Sequence, residues 1–279
     1  MVSEMVCLTV CVTTYNRCEI LHECLKSIER QTFKDFELII VDDGSTDCTK
    51  DVVEFFSNKF DNMKFICQEN KGLTVARNKA IEMASGKYFT FIDDDDCWDE
   101  MYLEVMFNAI KGTEDVICIC GSYSDTHSSY YDPFEMTLKD AFIQGFTPPV
   151  ASQMYSVEML RKVSGYNPIV KSGVDHDLWI RLLQNDKVKL KAISDTLVIP
   201  NTNDDIVRMT NSIEDRKKKI SDSLVIWKGD LIDSFGDEFY KHFAKSYNYH
   251  IYSRVIISTL RKRNIFLCIN SRGREQYFF

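Results

Sequence analysis

The stretch YFTFIDDDD, residues 88–96, is the part of the sequence that decides the fold. Its first five residues form an apolar, aromatic and β-branched run, which predicts a strand buried on both faces. Four aspartates follow at once, and keeping adjacent carboxylates together at a strand end costs stability unless a cation is present. Mg²⁺ and Mn²⁺ prefer oxygen ligands and keep positions open for substrate phosphates. The alternative is a solvated acidic turn before a helix near Trp98, where Asp favours the helix dipole.

Strand and helix patterns alternate on the N-terminal side of this run, which predicts right-handed crossovers and a parallel sheet. The strands are predicted at 6–13, 36–41, 63–67 and 88–92, and the helices at 19–30, 47–57 and 73–84. Acidic or glycine clusters at 42–45, 70–72 and 93–96 each follow a strand. Open α/β sheets bind ligands at the carboxyl ends of their strands, so we expect these clusters to share a site.

The sequence is less regular beyond residue 111. A strand is predicted at 116–122, and the polar and aromatic stretch 123–149 has no clear period, which favours a lid or an acceptor-side insertion. From residue 212 onward the pattern is helical and charged, and it ends in a basic tail. Between 251 and 279 there are six basic residues against one acidic residue, so we expect a separate partner for the tail.

Composition and charge exclude several classes of protein. Apolar residues make up 44% and charged residues 27%, which is a globular balance and excludes disorder over most of the chain. The net charge of -8 argues against a general nucleic-acid binder, which needs basic residues against phosphates. The apolar runs are shorter than the roughly 18 residues that span a bilayer, and residues 1–5 lack a basic signal-peptide start. We therefore expect a cytoplasmic protein.

The ten cysteines are scattered singly, with no CxxC pair and no Cys/His zinc spacing. Cys7 and Cys11 lie in an apolar strand pattern, where a free thiol behaves as a small hydrophobic side chain. This distribution predicts reduced and mostly buried thiols, as is usual for a cytosolic protein.

Three segments in order resemble a known family: VTTYNR (12–17), QTFKDFELIIVDDGSTD (31–47) and NKGLTVARNKAIEMASGKYFTFIDDDD (70–96). They are similar to the family 2 glycosyltransferases of the bacterial capsule and O-antigen type. The resemblance implies an α/β GT-A (Rossmann-like) fold, with a mostly parallel sheet flanked by helices and a helical C-terminal extension. The expected domains are a catalytic domain at 1–205, split into a nucleotide-binding half (1–110) and an acceptor-side half (111–205), and the extension with its basic tail at 206–279.

The resemblance also implies roles for single residues. Thr13 and Tyr15 match positions that line the nucleotide base, and Asp43 matches a carboxylate that reads uracil. Arg77 matches an arginine near the donor phosphates. The residues expected to bind the nucleotide sugar are Thr13, Tyr15, Arg17, Asp43, Asn70, Gly72, Arg77, Asp93 and Asp94. Without the resemblance, an ordinary turn after a strand would be the favoured interpretation of residues 42–45.

The acidic run matches the DxD motif of the family, of which Asp93 and Asp95 are the two ends. The resemblance implies that Asp95 binds Mn²⁺ or Mg²⁺, whereas Asp93 or Asp94 holds the ribose side. The cation would neutralise the charge that develops on the leaving diphosphate.

A second signature lies in GVDHDLWIR, residues 173–181, and it looks like the acidic pair followed by Leu-Trp-x-Arg that the family carries on a helix. Asp175 stands at the position of the catalytic base, although Val174 occupies a place where Glu is usual. His176 and Asp177 point about 100° and 200° away on a helix, so only one of the three can face the donor. The alternative for Asp175 is a helix cap, and Trp179 is expected to pack in the core.

The predicted activity is non-processive, inverting transfer of one sugar from a UDP-sugar to a saccharide or lipid-linked saccharide acceptor in surface polysaccharide synthesis. A processive synthase would need transmembrane helices and a Gln-x-x-Arg-Trp motif. A sugar-1-phosphate nucleotidyltransferase would need a glycine-rich loop, and residues 13–17 contain no glycine. An inactive nucleotide-sugar-binding module is the remaining alternative. The tail could lie on an anionic membrane surface or pack as an ordinary C-terminal helix.

Overall fold

The computed structural model describes residues 7–123, 131–144, 148–200, 213–245, 247, 266–269 and 275–278. The chain divides into two compact units. The first unit comprises Met1–Ile169 and Val174–Ile206, and the second comprises Val170–Gly173 and Val207–Phe279.

Four parallel strands form the N-terminal part of the first unit, in the order β3-β2-β1-β4. The strands are β1 (Leu8–Thr14), β2 (Phe36–Asp42), β3 (Met63–Cys67) and β4 (Tyr88–Asp93), and the crossover helices are α1 (Cys18–Glu29), α2 (Thr49–Phe56) and α3 (Leu73–Met83). Every residue of β1 and β2 is buried, as a sheet covered on both faces requires. The predicted alternation of strands and helices is confirmed here.

The remaining elements of this unit continue the sheet. They are β5 (Asp96–Trp98), α4 (Tyr102–Ile110), β6 (Val116–Ser122), β7 (Phe134–Thr137), α5 (Leu138–Ile143), a 3₁₀ turn (Val150–Ser152), β8 (Gln153–Ser156), α6 (Val157–Lys162), α7 (Val174–Leu182) and β9 (Lys189–Pro200). Strand β8 pairs antiparallel with β4 and β6, and β9 pairs parallel with β6 and antiparallel with β5 and β7. The sheet is therefore parallel around β1 and mixed beyond β4.

Two local predictions, for the residues around Trp98 and for the stretch 123–149, are wrong. The residues up to Trp98 form β5 rather than the start of a helix, because the buried Trp98 indole donates to the Ala151 carbonyl at 2.8 Å and stacks on Tyr102. The helix begins only at Tyr102. The stretch 123–149, expected to be irregular, contains β7 and α5, and the Thr137 side chain caps α5.

The second unit begins its described part with α8 (Ile213–Phe235), and residues 237–245 are also helical. Its other described elements are β10 (Phe266–Ile269) and β11 (Glu275–Phe278), an antiparallel pair. These two strands correct the expectation of a wholly helical extension. The other residues of the basic tail, 251–265, 270–274 and 279, lie outside the described residues. In the part of the chain that is described, no helix is both long and apolar enough to cross a membrane.

The prediction of reduced cysteines is wrong for one pair, since Cys18 and Cys48 form a disulfide with 5.5 Å between their Cα atoms. Cys18 begins α1 and Cys48 precedes α2, so neighbouring parallel strands bring residues 30 apart in sequence to the same edge of the sheet. The thiols of Cys11, Cys24 and Cys118 are unpaired and buried, as expected.

Reduction of the Cys18–Cys48 disulfide should lower the free energy of unfolding by roughly 3 kcal/mol, because the cross-link restricts the unfolded chain. Urea denaturation with and without a dithiol reductant measures the change, and Cys48→Ser should reproduce it. The control is Cys67→Ser, since Cys67 is exposed and unpaired. Equal midpoints in the oxidised and reduced wild type would contradict the pairing.

Candidate active site

The loops that follow β1 and β2 meet at the carboxyl edge of the sheet. Asn16 adopts a left-handed φ of 51°, which an Asn tolerates, and its N–H donates to Ser45 Oγ at 2.8 Å. The Thr46 N–H donates to Asn16 Oδ1 at 2.7 Å. Of the residues predicted to line a nucleotide base, Thr13 is buried at the end of β1, whereas Tyr15 is 46% exposed on the loop. These contacts form one wall of a site from two separate loops.

Asp43 lies buried just after β2, where it organises a third loop. Its Oδ1 accepts hydrogen bonds from the Gln68 side chain at 2.7 Å and the Lys71 N–H at 2.9 Å, and its Oδ2 accepts from the Gly72 N–H at 2.8 Å. A carboxylate has about four acceptor positions, so Asp43 retains capacity for one further donor from a ligand. Asp43 therefore both fixes the loop before α3 and remains able to bind.

Glycine is required at two places in this wall. Gly44 has a φ of +88°, and an added Cβ would lie 3.0 Å from the Asn70 nitrogen and 3.1 Å from the Gln68 carbonyl oxygen. Gly72 has a φ of +91° immediately before α3. Both conformations are in the left-handed region that disfavours other residues. The loop carrying Asn70 and Gly72 is thus held close against residue 44.

The side chains of the acidic run point in different directions, and Asp94 is separate from the other three. Asp94 is buried, and its two oxygens accept from Thr14 Oγ1 and Arg17 Nη1, each at 2.8 Å. Burial raises the pKa of Asp94 to about 6, and the nearby Arg17 guanidinium opposes that rise. Asp94 thereby joins the ends of β4 and β1. Thr14 was not among the predicted residues, because its hydroxyl partner lies 80 positions away in the sequence.

The other three aspartates, Asp93, Asp95 and Asp96, lie together and are partly exposed. One carboxylate oxygen from each can be chosen so that all three oxygens lie within 4.8 Å of one another. This is a donor set of hard oxygens that fits Mg²⁺ or Mn²⁺. Asp95 was the predicted metal ligand, and Asp96 was missed because it enters this group through the turn between β4 and β5.

Arg77 of α3 occupies a buried position beneath these carboxylates, with 2% of its side chain exposed. Its Nη2 donates to Asp93 Oδ1 at 2.6 Å, and its Nη1 donates to Asp175 Oδ1 at 3.2 Å. The guanidinium lies beside the T-shaped ring pair of Phe91 and Tyr166, at 5.5 and 5.1 Å from their centroids. Burial alone would lower the Arg77 pKa, but these acidic partners outweigh it and raise the pKa.

Asp175 lies in the first turn of α7, and its side chain is 35% exposed. Besides Arg77, its Oδ1 accepts from the Tyr166 hydroxyl at 3.2 Å. Burial raises the pKa of the Asp175 carboxyl above its ordinary value, Arg77 opposes the rise, and the Asp93 charge adds to it. The structure therefore joins the predicted base to the acidic run through one arginine.

Tyr166 is held by a pair of hydrogen bonds that the sequence analysis did not anticipate. The Tyr166 N–H donates to Asn78 Oδ1 at 2.7 Å, and Asn78 Nδ2 donates to the Tyr166 carbonyl at 2.7 Å. Gly165 adjoins this pair with a φ of +65°, and an added Cβ would overlap the Asn78 amide oxygen. Close backbone approach to α3 thus fixes the ring that faces Arg77.

The neighbours of Asp175 on α7 have other contacts. Asp177 is buried and accepts from Arg181 Nε at 2.8 Å, so it stabilises the helix through an i,i+4 pair. Trp179 is buried, and its Nε1 donates to Gln153 Oε1 at 3.0 Å, which confirms the expected core position. His176 is partly buried. In the run Asp175, His176 and Asp177, Arg77 contacts Asp175.

Comparison with known proteins places this site within a family. The sequence model of Glycosyl transferase family 2 matches residues 9–162, more than half of the chain, and the chain belongs to this family. The matched region contains strands β1 to β4, the acidic run and Arg77.

Several curated relatives match part of the chain. Glycosyltransferase GlyA of Streptococcus pneumoniae serotype 4 is 38% identical over 121 residues, which cover 43% of this chain and 17% of the relative. Putative glycosyltransferase EpsH of Bacillus subtilis is 35% identical over 140 residues, 49% of this chain and 40% of the relative. A Campylobacter jejuni GalNAc(5)-diNAcBac-PP-undecaprenol beta-1,3-glucosyltransferase is 42% identical over 91 residues, 32% of this chain and 29% of the relative. The chain spans less than half the length of each.

Solved structures confirm the GT-A fold. S. aureus TarS 1–349 in complex with UDP-GlcNAc superposes with a TM-score of 0.69 at 22% identity, covering 85% of this chain and 70% of that one. The mannosyltransferase PcManGT from Pyrobaculum calidifontis, in complex with GDP-Man and Mn²⁺, gives a TM-score of 0.63 at 16% identity, covering 87% and 69%. At these identities the likeness establishes the fold alone.

Replacing one carboxylate of the cluster should weaken cation binding on the order of tenfold or more, because affinity follows the charge count of the oxygen ligands. We expect this of both Asp95→Asn and Asp96→Asn in a calorimetric Mn²⁺ titration, with and without UDP. The matched control is Asp61→Asn, an exposed residue in the turn before β3. An unchanged dissociation constant for Asp96→Asn, beside a weakened one for Asp95→Asn, would remove Asp96 from the ligand set.

Proposed function

We propose that this chain is an inverting, non-processive glycosyltransferase that moves one sugar from a UDP-sugar to an acceptor hydroxyl. The observation that carries the proposal is the joining of two groups at one sheet edge. The partly exposed cluster Asp93, Asp95 and Asp96 suits a divalent cation, and Asp175 is linked to it by the buried Arg77. A cation site and a candidate base in the same crevice are the two elements that this transfer requires.

The leaving group is a nucleoside diphosphate, on which negative charge develops as the glycosidic bond breaks. A bound Mg²⁺ or Mn²⁺ would supply the charge that neutralises it, and Asp95 with Asp93 and Asp96 would hold the ion. Arg17 lies beside the same edge, with Nη1 3.6 Å from Asp95 Oδ2. Arg17 is thereby placed to limit the repulsion between Asp95 and an incoming diphosphate.

Asp175 is the residue that would accept the proton of the acceptor hydroxyl. Burial raises the pKa of Asp175, so its carboxylate is a stronger base than that of an ordinary aspartate. Asp93 is engaged by the shorter of the two Arg77 contacts, at 2.6 Å. Asp175 therefore differs from the aspartates of the acidic run in both its position on α7 and its surroundings.

A uridine nucleotide is favoured by Asp43, whose remaining acceptor capacity suits the imide N–H of uracil. The TarS neighbour was solved with UDP-GlcNAc, which supports the same class of donor, whereas the PcManGT neighbour was solved with GDP-Man. A guanosine donor is thus the alternative that the experiment must separate.

The proposed acceptor is a saccharide, with a lipid-linked saccharide as its membrane form. The name of the Campylobacter jejuni relative contains a PP-undecaprenol-linked saccharide, which supports this class. The six basic residues between 251 and 279 would attract an anionic inner membrane surface by roughly 1 kcal/mol each. We therefore propose a cytoplasmic enzyme that associates peripherally with the membrane.

A thermal-shift panel with Mn²⁺ tests the donor, because a bound ligand stabilises the folded protein in proportion to RT ln(1 + [L]/Kd). UDP and at least one UDP-sugar should raise Tm, and the same UDP-sugar should release UDP when an acceptor is added. Stabilisation by GDP alone would contradict the uridine assignment. Release of pyrophosphate from UTP and a sugar 1-phosphate would indicate a nucleotidyltransferase, and binding without UDP release would indicate an inactive module.

Asp175→Asn should lower kcat by about 10²–10⁴-fold, because the amide cannot take the acceptor proton. The affinity for UDP with Mn²⁺ should change little, since the nucleotide contacts lie on other loops. Steady-state UDP release measures the first quantity and calorimetry the second. Glu158→Gln is a matched control, because Glu158 forms an exposed ion pair with Lys162 on α6. Equal loss of activity in both variants would contradict the role of Asp175.

The pH dependence should report the same group. Protonation of Asp175 removes the base, so kcat/KM should fall as the pH falls through its pKa. Because burial raises that pKa, the midpoint should lie above the ordinary aspartate value of about 3.9. The acid limb should be absent from the residual activity of Asp175→Asn. An identical limb in the variant would assign the titration to another residue.

A further inference from the structure

The contacts of Arg77 differ from those expected of a phosphate-binding arginine. Both terminal nitrogens of its guanidinium are engaged by protein carboxylates, Nη2 by Asp93 and Nη1 by Asp175. Only 2% of the side chain is exposed, so little of its surface is available to a diphosphate. The planar fork of an arginine can hold two such acceptors at fixed angles. Arg77 is thus built to bridge two residues of the protein.

The surroundings of Arg77 hold this bridge rigidly. The rings of Phe91 and Tyr166 lie on the guanidinium at 5.5 and 5.1 Å, which adds cation–π attraction to the ion pairs. Phe91 belongs to β4, and the Tyr166 backbone is pinned to Asn78 on α3 by two hydrogen bonds. The plane and the reach of the guanidinium are therefore set by three separate segments of the fold.

The two oxygens of Asp175 have different surroundings. Arg77 Nη1 and the Tyr166 hydroxyl both donate to Oδ1, each at 3.2 Å. Within the described part of the chain, these two donors to Asp175 leave Oδ2 as the oxygen that can take a proton from a substrate. Two donors on one oxygen fix the rotation of the carboxyl group, because a turn about the Cβ–Cγ bond would break both contacts.

We propose that Arg77 is a positioning residue of the transfer reaction, which acts with Tyr166 to hold Asp175 Oδ1 and to present Oδ2 to the acceptor hydroxyl. This inference rests on the proposed function, and it replaces the expected contact between Arg77 and the donor phosphates. The contact with Asp93 sets the distance between the base and the cation cluster. Positioning of this kind contributes to turnover rather than to donor affinity.

Two conservative variants test the proposal. Tyr166→Phe removes one hydrogen bond to Oδ1 and keeps the ring over Arg77, so kcat should fall about tenfold. Arg77→Lys keeps the charge but loses the planar fork that holds two carboxylates at fixed angles, so kcat should fall about 100-fold. For both variants, KM for the UDP-sugar and Kd for UDP with Mn²⁺ should stay within about threefold of the wild type.

Matched controls separate positioning from general damage to the fold. Tyr155→Phe also removes a buried hydroxyl, but one that contacts Gln153 and Trp179, and Arg181→Lys alters a different ion pair, with Asp177. Both should keep the wild-type kcat, and Tm should be measured for all four variants. If Arg77→Lys lowers Tm strongly, its loss of kcat could come from damage to the fold. The kcat of Tyr166→Phe then decides whether Asp175 is held in position.

Three results would overturn the inference. The first is a raised UDP Kd and KM in Arg77→Lys with kcat unchanged, which would make Arg77 a phosphate ligand. The second is a wild-type kcat in Tyr166→Phe. The third is an equal fall in kcat in Tyr166→Phe and Tyr155→Phe. A wild type that transfers no sugar would defeat the proposed function separately, and the UDP affinity of Arg77→Lys would still decide whether Arg77 binds phosphate.

Discussion

Repulsion among the four carboxylates at the end of β4 is the constraint on which the site depends. Two unit charges about 4 Å apart near a protein surface repel by about 4 kcal/mol, so a run of four needs compensation from several sides. Arg17 meets Asp94 from the β1 loop, and Arg77 meets Asp93 from α3. These two arginines offset part of the charge of the run, and the oxygens of Asp93, Asp95 and Asp96 suit a divalent cation. The repulsion within the acidic run is therefore one that a bound divalent cation would relieve.

The opposite end of the same sheet shows how an isolated buried carboxylate is stabilised by protein groups alone. Glu37, in β2, accepts hydrogen bonds from Thr9, Lys64 and Ser85. Burial acts to raise its pKa, but these donors outweigh burial and lower it. Every partner comes from the protein, and the group has a structural role. The acidic run differs because three of its members are partly exposed and lie together, which is the arrangement of a binding site.

The sequence predicted the features that follow from local residue patterns. It did not predict the features that depend on contacts between segments distant in sequence. Strands β1 to β4 are continuous apolar runs, so their positions, the parallel sheet and the edge that carries the acidic run could be predicted. Asp175 was predicted as the base because residues 173–181 resemble a signature of the family. Three features were not predictable, because each depends on a contact with a segment distant in sequence. They are the place of Trp98 in strand β5, the place of Asp96 in the carboxylate cluster, and the disulfide between Cys18 and Cys48. Arg77 was identified as important, but its partners could be read only from the structure.

The division of the sheet explains why the two halves of the site differ in their predictability. The half proposed to bind the nucleotide is built from parallel strands whose loops emerge at one edge, and its residues occur in short motifs. Asp175 instead enters from α7, beyond the antiparallel strand β8, and Arg77 links it to Asp93 of the acidic run. A buried arginine between two carboxylates couples the positions of the two halves, since displacing either acid leaves a charge uncompensated in a region of low dielectric. The distance between the candidate base and the cation cluster is thus set by one ion-pair bridge.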